Sequence, residues 1–150
     1  MVGAVIIAHS GIGKELIATA GYLTGKIEGM IAVSIDCETN AFEAKKIIAQ
    51  AIKEVDQGHG VLLLTDFFGG SPCNIAFSFL NNEQTEVVTG VNLPMILTFW
   101  NKRPNSALSE LATAVRLSGR RSIARAKDLL EMKYANGRKI PGRERKLSQK

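Results

Sequence analysis

The chain has 150 residues, a length typical of one domain, and its net charge is +5. With 45% hydrophobic residues, 22% charged residues and four prolines, the composition excludes a wholly disordered, collagen-like or mucin-like chain. The apolar runs are far shorter than the roughly 20 residues of a membrane-spanning helix, and no charged segment precedes the first of them. We therefore expect a cytoplasmic protein without a membrane span, in which Cys37 and Cys73 are free thiols.

The positive charge is concentrated at the C-terminus. Residues 1–101 contain five lysines and ten acidic residues, residues 102–136 contain eight basic and three acidic residues, and residues 137–150 contain six basic residues and one acidic residue. The first two segments cancel, so the excess charge lies in the last fourteen residues. Their low hydrophobicity predicts a basic, disordered tail that follows a domain over residues 1–136. Nucleic-acid binding by this tail is the less favoured alternative.

Buried strands alternate with amphipathic helices along the chain. Short apolar runs predict strands over residues 2–8, 30–35, 61–65 and 86–89. Apolar spacing and turn residues predict helices over residues 12–23, 40–55, 71 onward, 93–100 and 106–119, with N-caps at Asn40, Ser71, Asn92 and Ser106 and an end at Gly119. Residues 121–127 fit either a fifth strand or the start of a short helix. This alternation predicts a doubly wound α/β fold with a mostly parallel sheet of four strands flanked by helices.

Polar residues and glycines follow the predicted strands, where a sheet of this kind binds its ligands. His9 follows the first strand, and Asp66 follows the third. If these strands are neighbours, Asp66 accepts a hydrogen bond from Nδ1–H of His9 and leaves the Nε2 lone pair exposed as a nucleophile. Gly69, Gly70 and Ser71 then offer backbone amides and a hydroxyl for an anion beside that nitrogen, which predicts a phosphoryl site.

Each of these residues also has a simpler interpretation. A single histidine at a strand end is often structural, an aspartate can organise a turn, and glycines often only permit a bend. His59 lies in a predicted surface turn, and no second histidine is placed to activate Cys73. Phe67, Phe68 and Trp100 are expected to be packing residues. No metal site and no cofactor are predicted.

The strings at residues 66–74 (Asp-Phe-Phe-Gly-Gly-Ser-Pro-Cys-Asn) and 90–95 (Gly-Val-Asn-Leu-Pro-Met), with the strand that ends in His9, are specific in combination. Together they resemble the enzyme IIA component of the mannose family of the bacterial phosphoenolpyruvate-dependent sugar phosphotransferase system (PTS), over about residues 1–130. The resemblance implies that HPr, the histidine phosphocarrier protein, phosphorylates His9 on Nε2 and that His9 passes the group to a IIB component. Asp66 would orient His9, while Ser10, Gly69, Gly70 and Ser71 would line the phosphoryl site.

The resemblance also implies a homodimer in which a fifth, antiparallel C-terminal edge strand crosses to the partner's sheet, which favours the strand interpretation of residues 121–127. Association with the membrane components IIC and IID is a further possible consequence. The family commonly has glycine directly after the histidine, whereas this chain has Ser10 there and Gly11 one place later. A His-Ser start is similar to the phosphoryl-carrying subunit of the PEP-dependent dihydroxyacetone kinase, which is the alternative. A regulatory protein that signals by the phosphorylation state of His9 is a second alternative.

Overall fold

The computed structural model describes residues 1–36, 38–80 and 83–135. Cys37 and the predicted basic tail over residues 137–150 lie outside these ranges. The chain divides into two compact units, Met1–Arg120 and Arg121–Lys150. The first unit contains the sheet and the two predicted catalytic residues, His9 and Asp66.

Four parallel strands form one sheet in the order β2-β1-β3-β4. The strands are β1 (Gly3–Ala8), β2 (Met30–Ser34), β3 (Val61–Thr65) and β4 (Thr85–Thr89). Each begins and ends within one residue of its predicted bounds. The two central strands, β1 and β3, are buried along their whole length, as expected for a parallel sheet that is covered on both faces. The predicted α/β architecture is confirmed.

Helices connect and cover the strands. They are α1 (Ile12–Thr24), α2 (Ala41–Val55), α3 (Ser71–Phe77), α4 (Leu93–Lys102) and α5 (Leu108–Arg121), with a short 3-10 turn at Arg103–Asn105. The second unit contains α6 (Ala126–Ala135). No helix in the described part of the chain is long and apolar enough to cross a membrane.

Side-chain caps begin two of the helices as predicted. The Asn40 side chain accepts a hydrogen bond from the Glu43 amide at 2.8 Å, and the Asn92 side chain accepts one from the Met95 amide at 3.2 Å. Each cap satisfies one of the amides that a helix leaves unpaired at its start.

Three predicted helix boundaries are wrong. Ser106 is not the N-cap of α5, because this helix begins two residues later, at Leu108. The N-cap position of α3 is occupied by Gly70, and Ser71 is already the first helical residue. Gly119 does not end α5, which continues to Arg121. A Cβ atom at Gly119 would lie only 2.6 Å from the Met95 sulfur, so this glycine lets α5 approach α4. The sequence cannot separate this use of glycine from a helix stop.

The core consists of two apolar layers, one on each face of the sheet. Alternate residues of β1 divide between them: Ala4 and Ile6 face the layer covered by α1, α4 and α5, whereas Val5 and Ile7 face the layer covered by α2 and α3. Because both layers pack closely against β1 and β3, the positions of the strand ends are fixed relative to each other.

In the second unit, residues 121–127 do not form the predicted fifth strand. Arg121 ends α5, and α6 begins at Ala126. The Arg125 carbonyl accepts hydrogen bonds from the amides of Asp128 and Leu129, and the Arg125 Nε donates to the Asp128 carboxylate at 2.9 Å. These local bonds favour a helical start. A strand that pairs with a partner's sheet takes its hydrogen bonds from a second chain, so the exchanged strand and the dimer stay predictions.

Arg103 is a buried cation at the end of α4, and only 3% of its surface is exposed. Its guanidinium donates to the Glu28 carbonyl and lies over the rings of Phe99 and Trp100, 5.4 and 5.7 Å from their centroids. A Cβ atom at Gly29 would collide with the guanidinium. Arg103 therefore holds the segment that leads into β2 against α4.

Replacing this side chain tests its contribution to stability. Arg103→Ala is expected to lower the free energy of unfolding by roughly 2–4 kcal/mol, because a charge-assisted hydrogen bond and a cation–π contact are lost. Urea denaturation followed by circular dichroism measures the difference. The control is Lys26→Ala, which removes a well-exposed ion pair with Glu28 and should leave the urea midpoint unchanged. Equal midpoints for wild type and Arg103→Ala would contradict the assignment.

Candidate functional site

The candidate site lies where β1 and β3 end side by side. In the sheet register Ile7 pairs with Thr65, so the chain leaves both strands at the same edge. His9 is the first residue after β1, and Asp66 is the first residue after β3. The predicted adjacency of strands one and three is confirmed, and it brings these two side chains into contact.

Asp66 accepts three N–H groups through its two carboxylate oxygens. Oδ2 accepts from the His9 amide at 2.8 Å and lies 2.6 Å from His9 Nδ1, while Oδ1 accepts from the Phe67 amide at 3.0 Å. Burial alone raises the pKa of the Asp66 carboxyl, but the hydrogen bonds from His9 and Phe67 outweigh it and hold this pKa below its ordinary value. Asp66 is therefore an ionised carboxylate at neutral pH.

The charge of Asp66 determines which nitrogen of His9 carries the proton. A carboxylate has no hydrogen to donate, so the 2.6 Å contact requires Nδ1–H as the donor. In the neutral ring the lone pair is then on Nε2, which makes no hydrogen bond within the described residues. About a third of the His9 side chain is exposed, compared with 8% for Asp66. The pair thus presents an oriented nucleophilic nitrogen to the outside.

The loop after His9 has a backbone conformation that favours glycine. Ser10 has a φ of 51°, and no other non-glycine residue of the described ranges has a positive φ. The Ser34 hydroxyl, at the end of β2, donates to the Ser10 carbonyl at 2.6 Å. This bond and the Asp66 bond to the His9 amide hold the loop on either side of the strained residue. Ser10 therefore adopts, at a conformational cost, a backbone geometry that glycine would adopt freely.

The other predicted site residues form the entry to α3. Gly69 has a φ of +89°, Gly70 occupies the N-cap position, and Ser71 is an exposed first helical residue. Gly70 lies against the Phe67 ring, since a Cβ atom there would be 2.7 Å from Phe67 Cζ. The Phe67 ring thus contacts Gly70 and also stacks on the His9 imidazole. The binding roles of Ser10, Gly69, Gly70 and Ser71 stay predictions.

Phe67 is the site residue that the sequence analysis missed. Its ring stacks on the His9 imidazole with a centroid distance of 5.4 Å and an interplanar angle of 14°, and about half of its surface is exposed. The expectation that Phe67 and Phe68 are packing residues is wrong, because Phe68 is also well exposed. The usable signal was the position of Phe67, directly after the predicted orienting carboxylate.

The sequence analysis did not assign Cys73 or His59 to the site, and the structure agrees with this. Cys73 is fully buried in α3, so its thiol is closed to substrates. His59 Nδ1 lies 3.1 Å from the N-terminal amine, at the sheet edge opposite to His9. Neither residue adds to the candidate site.

Two grooves of the first unit lie away from His9 and Asp66. One, of about 660 Å³, is lined by residues that include Glu83, Glu86 and Ser109, and another, of about 600 Å³, runs beside β2 past Lys14 and Lys46. Neither groove is lined by His9 or Asp66. About a third of the His9 side chain and half of Phe67 are exposed. The site is therefore open, a form that suits a reactive group presented by another macromolecule better than an enclosed small substrate.

An α/β sheet that holds an oriented imidazole nucleophile at an open edge defines a group-carrying protein, and comparison with known proteins identifies its family. The family model described as PTS system fructose IIA component matches residues 3–116. A fructose-specific EIIA component of the PTS from Bacillus subtilis (strain 168) is 30% identical over 138 residues, which cover 91% of this chain and 94% of that protein. The chain belongs to the EIIA family of the sugar phosphotransferase system.

Two further comparisons agree with this family. The mannose-specific EIIAB component of the PTS from Escherichia coli (strain K12) is 30% identical over 121 residues, and the match spans 79% of this chain but only 38% of that protein. The PTS IIA protein associated with the fucose utilization operon of Streptococcus pneumoniae has a similar fold, with a TM-score of 0.76, 25% identity, and coverage of 86% of this chain and 96% of that one. The chain is thus a IIA component, a phosphoryl-carrying protein of this system.

The lowered pKa of Asp66 predicts an acid-dependent contribution to stability. In Asp66→Asn, the side-chain NH2 group replaces a carboxylate oxygen and faces an N–H donor of the backbone or of the His9 ring. Two donors cannot bond to each other, so at neutral pH the substitution should lower the free energy of unfolding by about 1–3 kcal/mol. Because the folded-state pKa of Asp66 is depressed, the wild-type advantage is complete above the ordinary carboxyl pKa of about 3.9 and is lost as the pH falls through the folded-state value. Urea denaturation of both proteins between pH 7 and pH 2 measures this.

Asp56→Asn is the matched control, because the Asp56 carboxylate accepts a single amide hydrogen bond, from Gly58. At neutral pH its difference from wild type should be smaller than that of Asp66→Asn, since only one hydrogen bond to the carboxylate is affected. A difference between wild type and Asp66→Asn that stays constant down to pH 2 would show that the carboxylate charge is not the cause.

Proposed function

We propose that this chain accepts a phosphoryl group from phospho-HPr on Nε2 of His9 and passes it to a IIB component, as part of sugar uptake and phosphorylation. The observation that carries this proposal is the 2.6 Å contact between His9 Nδ1 and Asp66 Oδ2, which puts the lone pair on Nε2. Membership of the IIA family supports the direction of transfer.

The geometry matches the needs of phosphoryl transfer between two imidazoles. Nε2 attacks phosphorus in line with the departing nitrogen of the donor, and the donor keeps the electron pair of the broken P–N bond. As the new N–P bond forms, positive charge develops on the His9 ring, and the Asp66 carboxylate at Nδ1 stabilises it. No proton has to leave Nδ1, so positioning and electrostatics provide most of the catalysis.

The entry to α3 is proposed to hold the phosphoryl oxygens. Backbone amides at Gly69 and Gly70 and the Ser71 hydroxyl are donors of the type that binds phosphate, and Ser10 follows His9 directly. Because α3 has only seven residues, individual N–H groups rather than a long helix dipole would provide this contribution.

The proposed partners follow from the family and from the open site. HPr and a IIB component each have to place a phosphoryl-carrying residue against Nε2, and an open sheet edge allows two different proteins to do so in turn. A homodimer and association with IIC and IID are part of the same proposal, which places the protein in the cytoplasm. The family match and the similarity to PTS EIIA and EIIAB components favour this function over the kinase-subunit alternative.

Phosphorylation with a labelled donor tests the acceptor. Incubation with phosphoenolpyruvate, enzyme I and HPr should place an acid-labile, base-stable phosphate on the wild-type protein, because phosphoramidates of histidine have this stability. His9→Ala should take no label, whereas His59→Ala, which removes the other histidine of the chain, should take as much as wild type. Label that persists in His9→Ala would refute the assignment.

Asp66→Asn tests the role of the carboxylate in the transfer itself. The variant should slow single-turnover transfer from phospho-HPr about ten- to hundredfold, because the imidazole loses its alignment and the charge that balances the developing imidazolium. Rapid-quench measurement of label on the protein gives the rate, and Asp56→Asn should transfer at the wild-type rate. An undiminished rate in Asp66→Asn would remove this residue from the mechanism.

A further inference from the structure

Phe67 contacts both members of the His9–Asp66 pair. Its backbone amide donates to Asp66 Oδ1 at 3.0 Å, and its ring stacks on the His9 imidazole at 5.4 Å and 14°. The side chain is 52% exposed, so core packing does not explain its place. An aromatic ring that is held partly in water and parallel to a reactive imidazole needs an explanation of its own.

The ring of Phe67 is held on a second side by the turn into α3. Gly70 gives the ring its space, because a Cβ atom there would lie 2.7 Å from Phe67 Cζ and 3.0 Å from Cε2. Residues 66–70 therefore bring a carboxylate, an aromatic ring and a glycine backbone together in one turn. This arrangement limits the positions that the Phe67 ring can take.

The hydrogen bond to Asp66 leaves one motion of the imidazole unrestrained. A single N–H···O bond fixes the direction of Nδ1–H, but the ring can still rock about that axis at little cost in hydrogen-bond energy. The Nε2 lone pair lies in the plane of the ring, so rocking turns it away from a phosphorus atom held by a partner. A parallel aromatic neighbour resists this rotation, because the contact between the two faces is lost when the rings tilt.

We infer that Phe67 is a positioning residue, whose stacked ring fixes the plane of the His9 imidazole for phosphoryl transfer. This inference rests on the proposed function. The step is the one already described, in which an N–P bond forms at His9 as the donor's N–P bond breaks. Phe67 exchanges no atoms or electrons with either group. A stacked ring also favours the imidazolium character that the phosphorylated ring acquires, through its π electrons.

A different role for Phe67 would be to form part of the contact surface for HPr. The two roles differ in what they change: positioning affects the rate at saturating donor, whereas docking affects the donor concentration required. Phe68 provides a matched control, because it is the neighbouring phenylalanine and is 75% exposed. Its ring is paired with Phe77, at 6.3 Å and a tilted angle of 52°.

The experiment compares Phe67→Leu, Phe67→Tyr and Phe68→Leu in single-turnover transfer from phospho-HPr over a range of donor concentrations. Phe67→Leu keeps an apolar side chain without a flat ring, and it should lower the saturating rate about tenfold, as expected for a misaligned reacting group, with little change in half-saturation. Phe67→Tyr keeps the ring and should restore the rate, and Phe68→Leu should transfer like wild type. These substitutions are at exposed positions and leave the core intact.

Proton NMR of the unphosphorylated proteins adds a readout of the stack itself. The carbon-bound protons of the His9 ring should show an upfield ring-current shift in wild type, Phe67→Tyr and Phe68→Leu, and this shift should be lost in Phe67→Leu. A wild-type saturating rate in Phe67→Leu, a change confined to half-saturation, or an equal loss of rate in Phe68→Leu would each overturn the inference while His9 still takes label. A wild-type protein without label on His9 would overturn the proposed function and this inference together.

Discussion

The site depends on one hydrogen bond, from Nδ1–H of His9 to the Asp66 carboxylate. The two residues are 57 positions apart in the sequence, and they meet because β1 and β3 are adjacent and parallel in the sheet. Parallel strands end at a common edge, so the first residues beyond them share one surface. The apolar layers on both faces of β1 and β3 thus determine the geometry of a polar contact that lies outside them.

The same contact explains how the fold accommodates a nearly buried carboxylate. A buried charge without partners is costly, but the three N–H groups around Asp66 more than compensate for the loss of water, as the lowered pKa of this residue shows. Two of these groups are backbone amides, from His9 and Phe67, so the carboxylate also fixes both loops. Ser10 keeps its positive φ next to the anchored His9 amide, and the Ser34 hydroxyl holds its carbonyl. Orientation of the imidazole and stability of the sheet edge therefore come from a single charge.

The sequence was sufficient for the features that depend on local pattern and parallel topology. The strands, the caps at Asn40 and Asn92, and the meeting of His9 with Asp66 follow from apolar runs, hydrogen-bonding side chains and the rule for strand ends. Gly119 and Arg103 could not be predicted in this way, since their roles depend on which side chain of α4 or which carbonyl lies opposite. The strand expected over residues 121–127 came from the family resemblance, and the local helix-forming contacts of Arg125 and Asp128 act against it within one chain.

Phe67 shows why an open site needs constraints that an enclosed one does not. In a closed pocket, the walls limit how an imidazole can turn, and the substrate completes the enclosure. Here about a third of the His9 side chain is exposed. Under the proposed function, partner proteins reach Nε2 through this opening, and only groups of the same chain restrain the imidazole between encounters. The carboxylate supplies one direction and a stacked ring supplies the plane, which together define the lone pair in space. Both restraints come from consecutive residues, Asp66 and Phe67, so one turn after β3 sets the geometry of the nucleophile.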